Sequence, residues 1–172
     1  MTEDLSKRCI VLVGLPGVGK TTIGSALAQR LGFEFFDSDR EIERLSGITV
    51  VEFFESHGEQ PFRELERKVV AQLISGNGRV VALGGGAFVE PGTRDLVKRQ
   101  ATSIWLDASL DTIRSRLQGG PERPLLQRSE TALTELANKR SASYAEADIR
   151  IVAGPIEETL EAIERALHEQ RR

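Results

Sequence analysis

The stretch Cys9–Thr21, CIVLVGLPGVGKT, joins five apolar residues to a glycine-rich turn and then to a lysine and a threonine. An unbroken apolar run of this length, followed at once by glycines, reads as a strand buried on both faces of a parallel sheet. Gly14 to Thr21 fits the spacing G-x-x-x-x-G-K-S/T. In that pattern the glycines let backbone N–H groups turn inward around an anion, and the helix that follows directs the positive end of its dipole at the same point. Lys20 is placed to reach the β- and γ-phosphates of a nucleotide, and the Thr21 hydroxyl is a natural magnesium ligand. The spacing specifies phosphate binding and is silent on the phosphate acceptor.

The pattern continues outward from this loop. A helix is predicted from Lys20, with Ile23, Leu27 and Leu31 facing inward and Gly32 as its stop. Phe33–Phe36 reads as a second strand ending at Asp37. Thr49 and Glu52 have capping-box spacing at the start of another helix, which Pro61 is expected to break before a helix over Phe62–Ile74. Val80–Leu83 is a third strand running into Gly84-Gly85-Gly86. Further elements are predicted as a helix over Thr93–Arg99, a strand over Ser103–Leu106, helices over Ser109–Leu117 and Thr131–Ala147, and a strand over Ile149–Val152. Gly154-Pro155 should open the last helix, with the proline in its first turn. Gly119–Gln127 reads as a mobile loop. Five strands alternating with helices predict one doubly wound α/β domain with a parallel sheet over the 172 residues.

Composition narrows the function. Apolar residues make up 40% and charged residues 28%, and the net charge is −3, so no broad basic surface points to nucleic acid. No segment reaches the roughly 20 apolar residues of a membrane span, and Met1–Arg8 has no apolar signal core. The single cysteine, Cys9, lies in the first strand, where a structural thiol in a reducing cytoplasm is expected. His57 and His168 form no zinc set with it. The expected state is a cytoplasmic monomer.

Asp37 and Asp39 sit two apart at the end of strand two, so an extended chain would point both the same way. Ligands of such sheets bind beyond the carboxyl ends of the strands. One carboxylate could assist magnesium through a water, and the other could take the proton of an acceptor hydroxyl. Capping of the helix running to Leu45 is an equal reading of Asp37, Ser38 or Asp39. The third strand ends in glycines rather than in a metal-binding aspartate, which favours Asp37 as the second carboxylate for the metal. Gly84, Gly85 and Gly86 allow close approach of a ligand to bare backbone. Arg63 opens a helix against its dipole, which suits a specific partner such as a carboxylate, although Arg63 or Arg140 taken alone reads first as a solvated surface charge. Arg123, in Pro121-Glu-Arg-Pro-Leu-Leu126, could close over ATP, exclude water and stabilise the transferring phosphoryl group. Arg116 could stack on adenine. Arg140 has Tyr144 one turn later.

Taken together, GLPGVGKT from Gly14, FFDSD ending at Asp39, GEQPFRELE from Gly58, LGGGA from Leu83, RPLL from Arg123 and R-x-x-x-Y from Arg140 resemble the shikimate kinase family. The resemblance runs from Cys9 to about Val152. It implies a three-layer α/β/α fold of the P-loop NMP-kinase type, with strand order 2-3-1-4-5, a substrate-binding region near 37–75 and a lid near 118–128. It also implies Mg2+- and ATP-dependent phosphorylation of the shikimate 3-hydroxyl, on the route to chorismate and aromatic amino acids. Under this resemblance Asp39, Arg63, Gly84, Gly85, Gly86 and Arg140 bind shikimate, and Asp39 is the base. Arg63 and Arg140 grip the carboxylate. Gly17, Val18, Gly19, Lys20, Thr21 and Thr22, with Arg116 and Arg123, bind ATP, and Lys20 and Arg123 join Asp39 in catalysis. Thr21, with Asp37 through water, positions Mg2+. Two departures stand out. Glu64 follows Arg63 where many members carry a second arginine, and Ala153-Gly154-Pro155 lacks an arginine that some members place against adenine. A gluconate kinase would share the phosphate loop and lid but not the D-S-D, F-R-x-x-E and G-G-G set. A nucleoside monophosphate kinase needs a second nucleotide site. A non-catalytic binding module would be expected to lose Lys20, Asp39 or Arg123.

Overall fold

The computed structural model describes residues 8–117 and 130–170. Its elements in chain order are β1 (Cys9–Val13), α1 (Lys20–Leu31), β2 (Glu34–Asp37), α2 (Ser38–Ser46), α3 (Val50–His57), α4 (Glu59–Ile74) and β3 (Arg79–Ala82). A short 3-10 turn (Ala87–Val89) leads to α5 (Pro91–Gln100), β4 (Thr102–Asp107) and α6 (Leu110–Leu117). The chain then resumes with α7 (Glu130–Tyr144), β5 (Ile149–Val152) and α8 (Ile156–Glu169). The five strands form one parallel sheet, as the alternating pattern predicts, in the order β2-β3-β1-β4-β5 that the family resemblance implies.

β1 lies at the centre, and its side-chain period of two divides the molecule into layers. Cys9, Val11 and Val13 face a core shared with Val69, Val70 and Leu73 of α4, Val97 of α5 and Tyr144 of α7. Ile10 and Leu12 face the opposite core, with Ile23 and Leu27 of α1 and Leu160, Ile163 and Leu167 of α8. Burial of all five β1 residues explains the unbroken apolar run. Trimming Leu12 to alanine would cost about 2–5 kcal/mol through lost transfer energy and the cavity left behind. Within this core, burial raises the Cys9 thiol pKa to about 12, so the thiol is inert packing. No described helix is long and apolar enough to cross a membrane.

Local chemistry sets the helix ends. Gly19 takes a left-handed conformation (φ 104°) at the start of α1, and its N-cap position carries no side-chain hydrogen bond, which leaves the first-turn N–H groups directed at the phosphate loop. Gly32 ends the helix at φ 69°, its N–H bonding back to Ala28 and Gln29. The Thr49–Glu52 capping box forms as expected.

Several ends shift by one or two residues, and three boundaries differ from expectation for an identifiable reason. The break between α3 and α4 falls at Gly58 (φ 84°, ψ 178°), not at Pro61. Pro61 is the third residue of α4, where an N–H would have no intrahelical acceptor in any case, so proline costs the helix little there. Pro155 precedes α8 as its N-cap rather than entering its first turn. The turn is closed by Thr159, whose hydroxyl accepts from Gly154 N–H at 3.0 Å and donates to the Pro155 carbonyl at 2.9 Å. Finally, α7 ends at Tyr144, and Glu146 and Ala147 turn back onto Ser143 and Tyr144.

Candidate active site

The adjacency of β2, β3 and β1 brings three chain segments side by side at the carboxyl end of the sheet: Asp37–Asp39, Gly84–Gly86 and the phosphate loop. A crevice of about 620 Å3 opens there, and its walls include Pro16, Thr21, Asp37, Asp39, Arg63, Glu66, Gly84–Gly86 and Arg140. The Thr21 hydroxyl donates to Asp37 Oδ2 at 2.8 Å. The other oxygen of Asp37 accepts from Asp39 N–H at 3.0 Å and Arg40 N–H at 3.3 Å, so this carboxylate also caps α2. The capping reading of Asp37 therefore holds, and its remaining oxygen meets Thr21 of the phosphate loop. Asp39, two residues on, is left to face the crevice.

Each glycine of the triplet makes room for a charged side chain, and Gly85 also for the Pro16 ring. A Cβ on Gly84 would lie 2.5 Å from Asp39 Oδ1, one on Gly85 would lie 2.6 Å from Arg140 Nη1, and one on Gly86 would lie 2.5 Å from Arg63 Nη2. None of the three has a positive φ. They are glycines because of this close approach, not because of backbone conformation. The fully buried Ser38 hydroxyl holds the run in place by accepting from Gly84 N–H at 2.9 Å.

Arg63 lies in the second turn of α4, since that helix starts at Glu59. The expected conflict with the helix dipole is therefore weak, because the dipole's effect fades beyond the first turn. What fixes Arg63 is Glu66, whose Oε1 accepts from Arg63 Nη1 at 2.6 Å. Glu66 is buried. Burial raises its pKa to about 6, with Arg63 and Arg140 opposing the rise and Asp39 adding to it. Glu66 closes the F-R-x-x-E motif, but the sequence assigned it no role. The available signal is its position four residues after Phe62 and three before Val69, on the apolar stripe of α4, where an acidic residue needs a partner.

Lys20 Nζ donates to the Gly14 and Leu15 carbonyls of its own loop, at 2.6 and 3.1 Å. Across the loop from the crevice is a second cavity of about 200 Å3, lined by Val18, Gly19, Thr22, Ile23, Arg116, Ala153, Gly154 and Ile156. Arg116 Nη1 donates to the Val18 carbonyl at 2.7 Å, which sets its guanidinium at the edge of this cavity. Gly17 packs against Leu117. Arg123 and the predicted lid near 118–128 lie outside the described residues.

A nucleotide-phosphate loop beside a crevice lined by carboxylates and arginines defines a P-loop phosphotransferase acting on a small acceptor. A model of the shikimate kinase family matches residues 16–170. A shikimate kinase of Rhodopseudomonas palustris is 41% identical over 169 residues, covering 96% of this chain and 83% of the relative. One of Zymomonas mobilis is 44% identical over 164 residues, covering 93% of each. Among solved structures, a shikimate kinase from Acinetobacter baumannii in complex with shikimate superposes with a TM-score of 0.90 at 35% identity, covering 96% of this chain and 95% of that one. A gluconokinase from Sinorhizobium meliloti, at 17% identity and a TM-score of 0.67 over 96% of this chain and 94% of that one, shares the fold alone. The chain belongs to the shikimate kinase family. It is an ATP-dependent kinase and so a transferase.

Proposed function

We propose that this enzyme transfers the γ-phosphoryl group of ATP to the 3-hydroxyl of shikimate, giving shikimate 3-phosphate and ADP, with Asp39 as the base. The observation that carries this reading is the placement of Asp39, Arg140 and Arg63 against Gly84, Gly85 and Gly86 in one crevice beside the phosphate loop. A carboxylate-bearing polyol suits that arrangement. Arg63 and Arg140 bind the acceptor carboxylate, since guanidinium can donate two parallel bonds. Asp39 accepts the hydrogen bond of the attacking hydroxyl and takes its proton as the O–P bond forms. Lys20, with the loop amides from Gly17 to Thr22, holds the β- and γ-phosphates and draws charge toward the leaving ADP. The adenine rests between Arg116 and Ala153–Gly154.

Among the described residues, no group of three or more His, Cys, Asp or Glu could hold a metal ion by itself. Magnesium fits all the same, because it is commonly held by one or two protein oxygens together with phosphate oxygens and water. Thr21 would hold it directly and Asp37 through water, as their 2.8 Å contact allows. Bound there, the ion neutralises charge on the β- and γ-phosphates. From sequence, Arg123 is assigned to the lid over the transferring group, where exclusion of water protects ATP from hydrolysis. The enzyme is read as a cytoplasmic monomer. Cys9 is a free buried thiol, and two of the five exposed large apolar side chains among the described residues, Val51 and Phe54, line the crevice itself.

The test is coupled ADP release with Mg·ATP and shikimate, gluconate, AMP or no acceptor. Turnover with shikimate alone is expected. Release above the blank only with gluconate or AMP would overturn the acceptor assignment and leave the phosphate site standing.

A further inference from the structure

The Tyr144 hydroxyl ends against the acceptor site without lining it. Tyr144 is buried among core residues of α7, and its hydroxyl donates to the Gly85 carbonyl at 2.5 Å. The same side chain borders a separate cavity of about 370 Å3, beside Trp105 and Leu15, and does not form part of the crevice wall.

The hydrogen bonds of the glycine run account for every group but two. The Gly84 carbonyl accepts from Ala87 N–H, the Gly86 carbonyl from Val89 N–H, and the Gly85 carbonyl from Tyr144. Gly84 N–H donates to Ser38. The amides of Gly85 and Gly86 have no partner among the described residues. The peptide bond between Gly85 and Gly86 is trans, and a trans peptide is close to planar, so the Gly85 C=O and the Gly86 N–H point in opposite directions. Fixing the carbonyl on a group behind the crevice wall therefore aims the Gly86 amide into the crevice.

The geometry points to Tyr144 as a positioning residue: through the Gly85 carbonyl its hydroxyl holds the Gly86 N–H as a preset donor to the acceptor. Two further observations agree. Tyr144 follows Arg140 by one helical turn on α7, so the carboxylate clamp and the amide donor are set by one helix. Burial also raises the Tyr144 pKa, against the opposing charge and hydrogen bonding of Arg140, so the hydroxyl remains a donor wherever the enzyme works. Without it, the Gly85–Gly86 peptide would be free to rotate and the glycines would lend the acceptor site no fixed direction.

This inference rests on the acceptor reading above, and the experiment separates the two. Tyr144→Phe keeps the ring and removes only the hydroxyl. KM for shikimate should rise about tenfold, the size expected when one buried carbonyl loses its donor, while KM for ATP stays within about twofold. In a spectrum of protein labelled with 15N-glycine, the Gly85 and Gly86 amide signals of the free variant should move or broaden. Equal rises in both KM values with a lowered Tm would make Tyr144 a core residue only and overturn the inference. So would unchanged KM values, or an unchanged glycine spectrum. If the wild type fails to turn over shikimate, the acceptor reading falls, and the glycine spectrum alone decides the role of Tyr144.

Discussion

Glu66 holds Arg63 from within the core: Oε1 accepts from Nη1 at 2.6 Å, and only 2% of the carboxylate side chain is exposed. A buried ion pair of this kind ties the shape of the crevice to pH. Glu66 has a folded-state pKa of about 6, above the ordinary 4.5. Between those two values the folded protein keeps a proton that the unfolded chain has released. Stability from this residue is therefore greatest below pH 4.5, falls as pH rises, and is lowest above 6. Each pKa unit is worth about 1.4 kcal/mol, so the change is on the order of 2 kcal/mol. Glu66→Gln should remove that slope. Urea unfolding of both proteins from pH 4 to pH 7 measures it, and a wild-type minus variant difference that does not change with pH would refute it. In the wild type, KM for shikimate should also climb as pH drops through 6, because protonated Glu66 loses its charge on Arg63. The variant should lack that step.

The three glycines predict three separable defects. Alanine at position 84 would press on Asp39, at 85 on Arg140 and at 86 on Arg63. The carboxylate and guanidinium tips can swing aside, and the Pro16 ring beside Gly85 needs to give by only a few tenths of an ångström, so each variant should fold. Gly84→Ala should chiefly lower kcat, whereas Gly85→Ala and Gly86→Ala should chiefly raise KM for shikimate, each by about tenfold for an ångström-scale displacement. Steady-state kinetics on the three proteins reads the pattern. Three identical profiles would mean that the run acts as one stiff turn rather than as three seats.

How much of this was legible in advance depends on the range of the interaction. The buried strand at Cys9–Val13, the loop to Thr21 and the helix stop at Gly32 follow from contacts within a few residues, so spacing alone locates them. The sheet order follows from the family pattern and agrees with the observed one. Residues at the carboxyl ends of β1, β2 and β3 could be named as site candidates because a parallel sheet gathers those ends. The pairing of each glycine with one charged side chain could not, since it depends on how α4 and α7 dock on the sheet. Glu66 and Tyr144 stand in the F-R-x-x-E and R-x-x-x-Y motifs, but their roles were not legible for the same reason: what they hold in place depends on docking between segments, as with Gly85, which lies 59 residues from Tyr144. Pro61 misled because a proline breaks a helix interior but is tolerated in a first turn, and the sequence did not show that Gly58 had already ended α3.

Asp37 does two jobs with its two oxygens, and one substitution separates them. Oδ1 caps α2, while Oδ2 meets the Thr21 hydroxyl. Asp37→Asn keeps an acceptor for the cap, so stability should fall by less than about 1 kcal/mol. The lost charge should raise the magnesium concentration needed for half-maximal rate several-fold, with KM for shikimate little changed. Asp37→Ala should show the same magnesium effect together with the full loss of the cap, of about 1 kcal/mol or more. Magnesium titrations of activity beside thermal unfolding check both. An asparagine variant with the wild-type magnesium requirement would leave Asp37 as a cap alone.

Asp39 provides the sharpest test of the chemistry. Its carboxylate fills the space left by Gly84 and its own N–H is held by Asp37, so its backbone is fixed independently of its charge. Asp39→Asn preserves shape and hydrogen-bonding capacity but is not a proton acceptor at neutral pH. A positioned general base contributes about 10²–10⁴ in rate, and kcat should fall by that factor. Under the proposed arrangement most nucleotide contacts come from the phosphate loop and the cavity beside Arg116 rather than from Asp39, so ATP affinity should persist, and isothermal titration with a non-hydrolysable nucleotide would show this. The variant also removes a charge that helps raise the Glu66 pKa, so the pH at which KM for shikimate begins to climb should shift downward. Turnover within about threefold of wild type would rule Asp39 out as the base by this measure. The proton would then have to leave by another route, with Asp39 serving only to bind the acceptor.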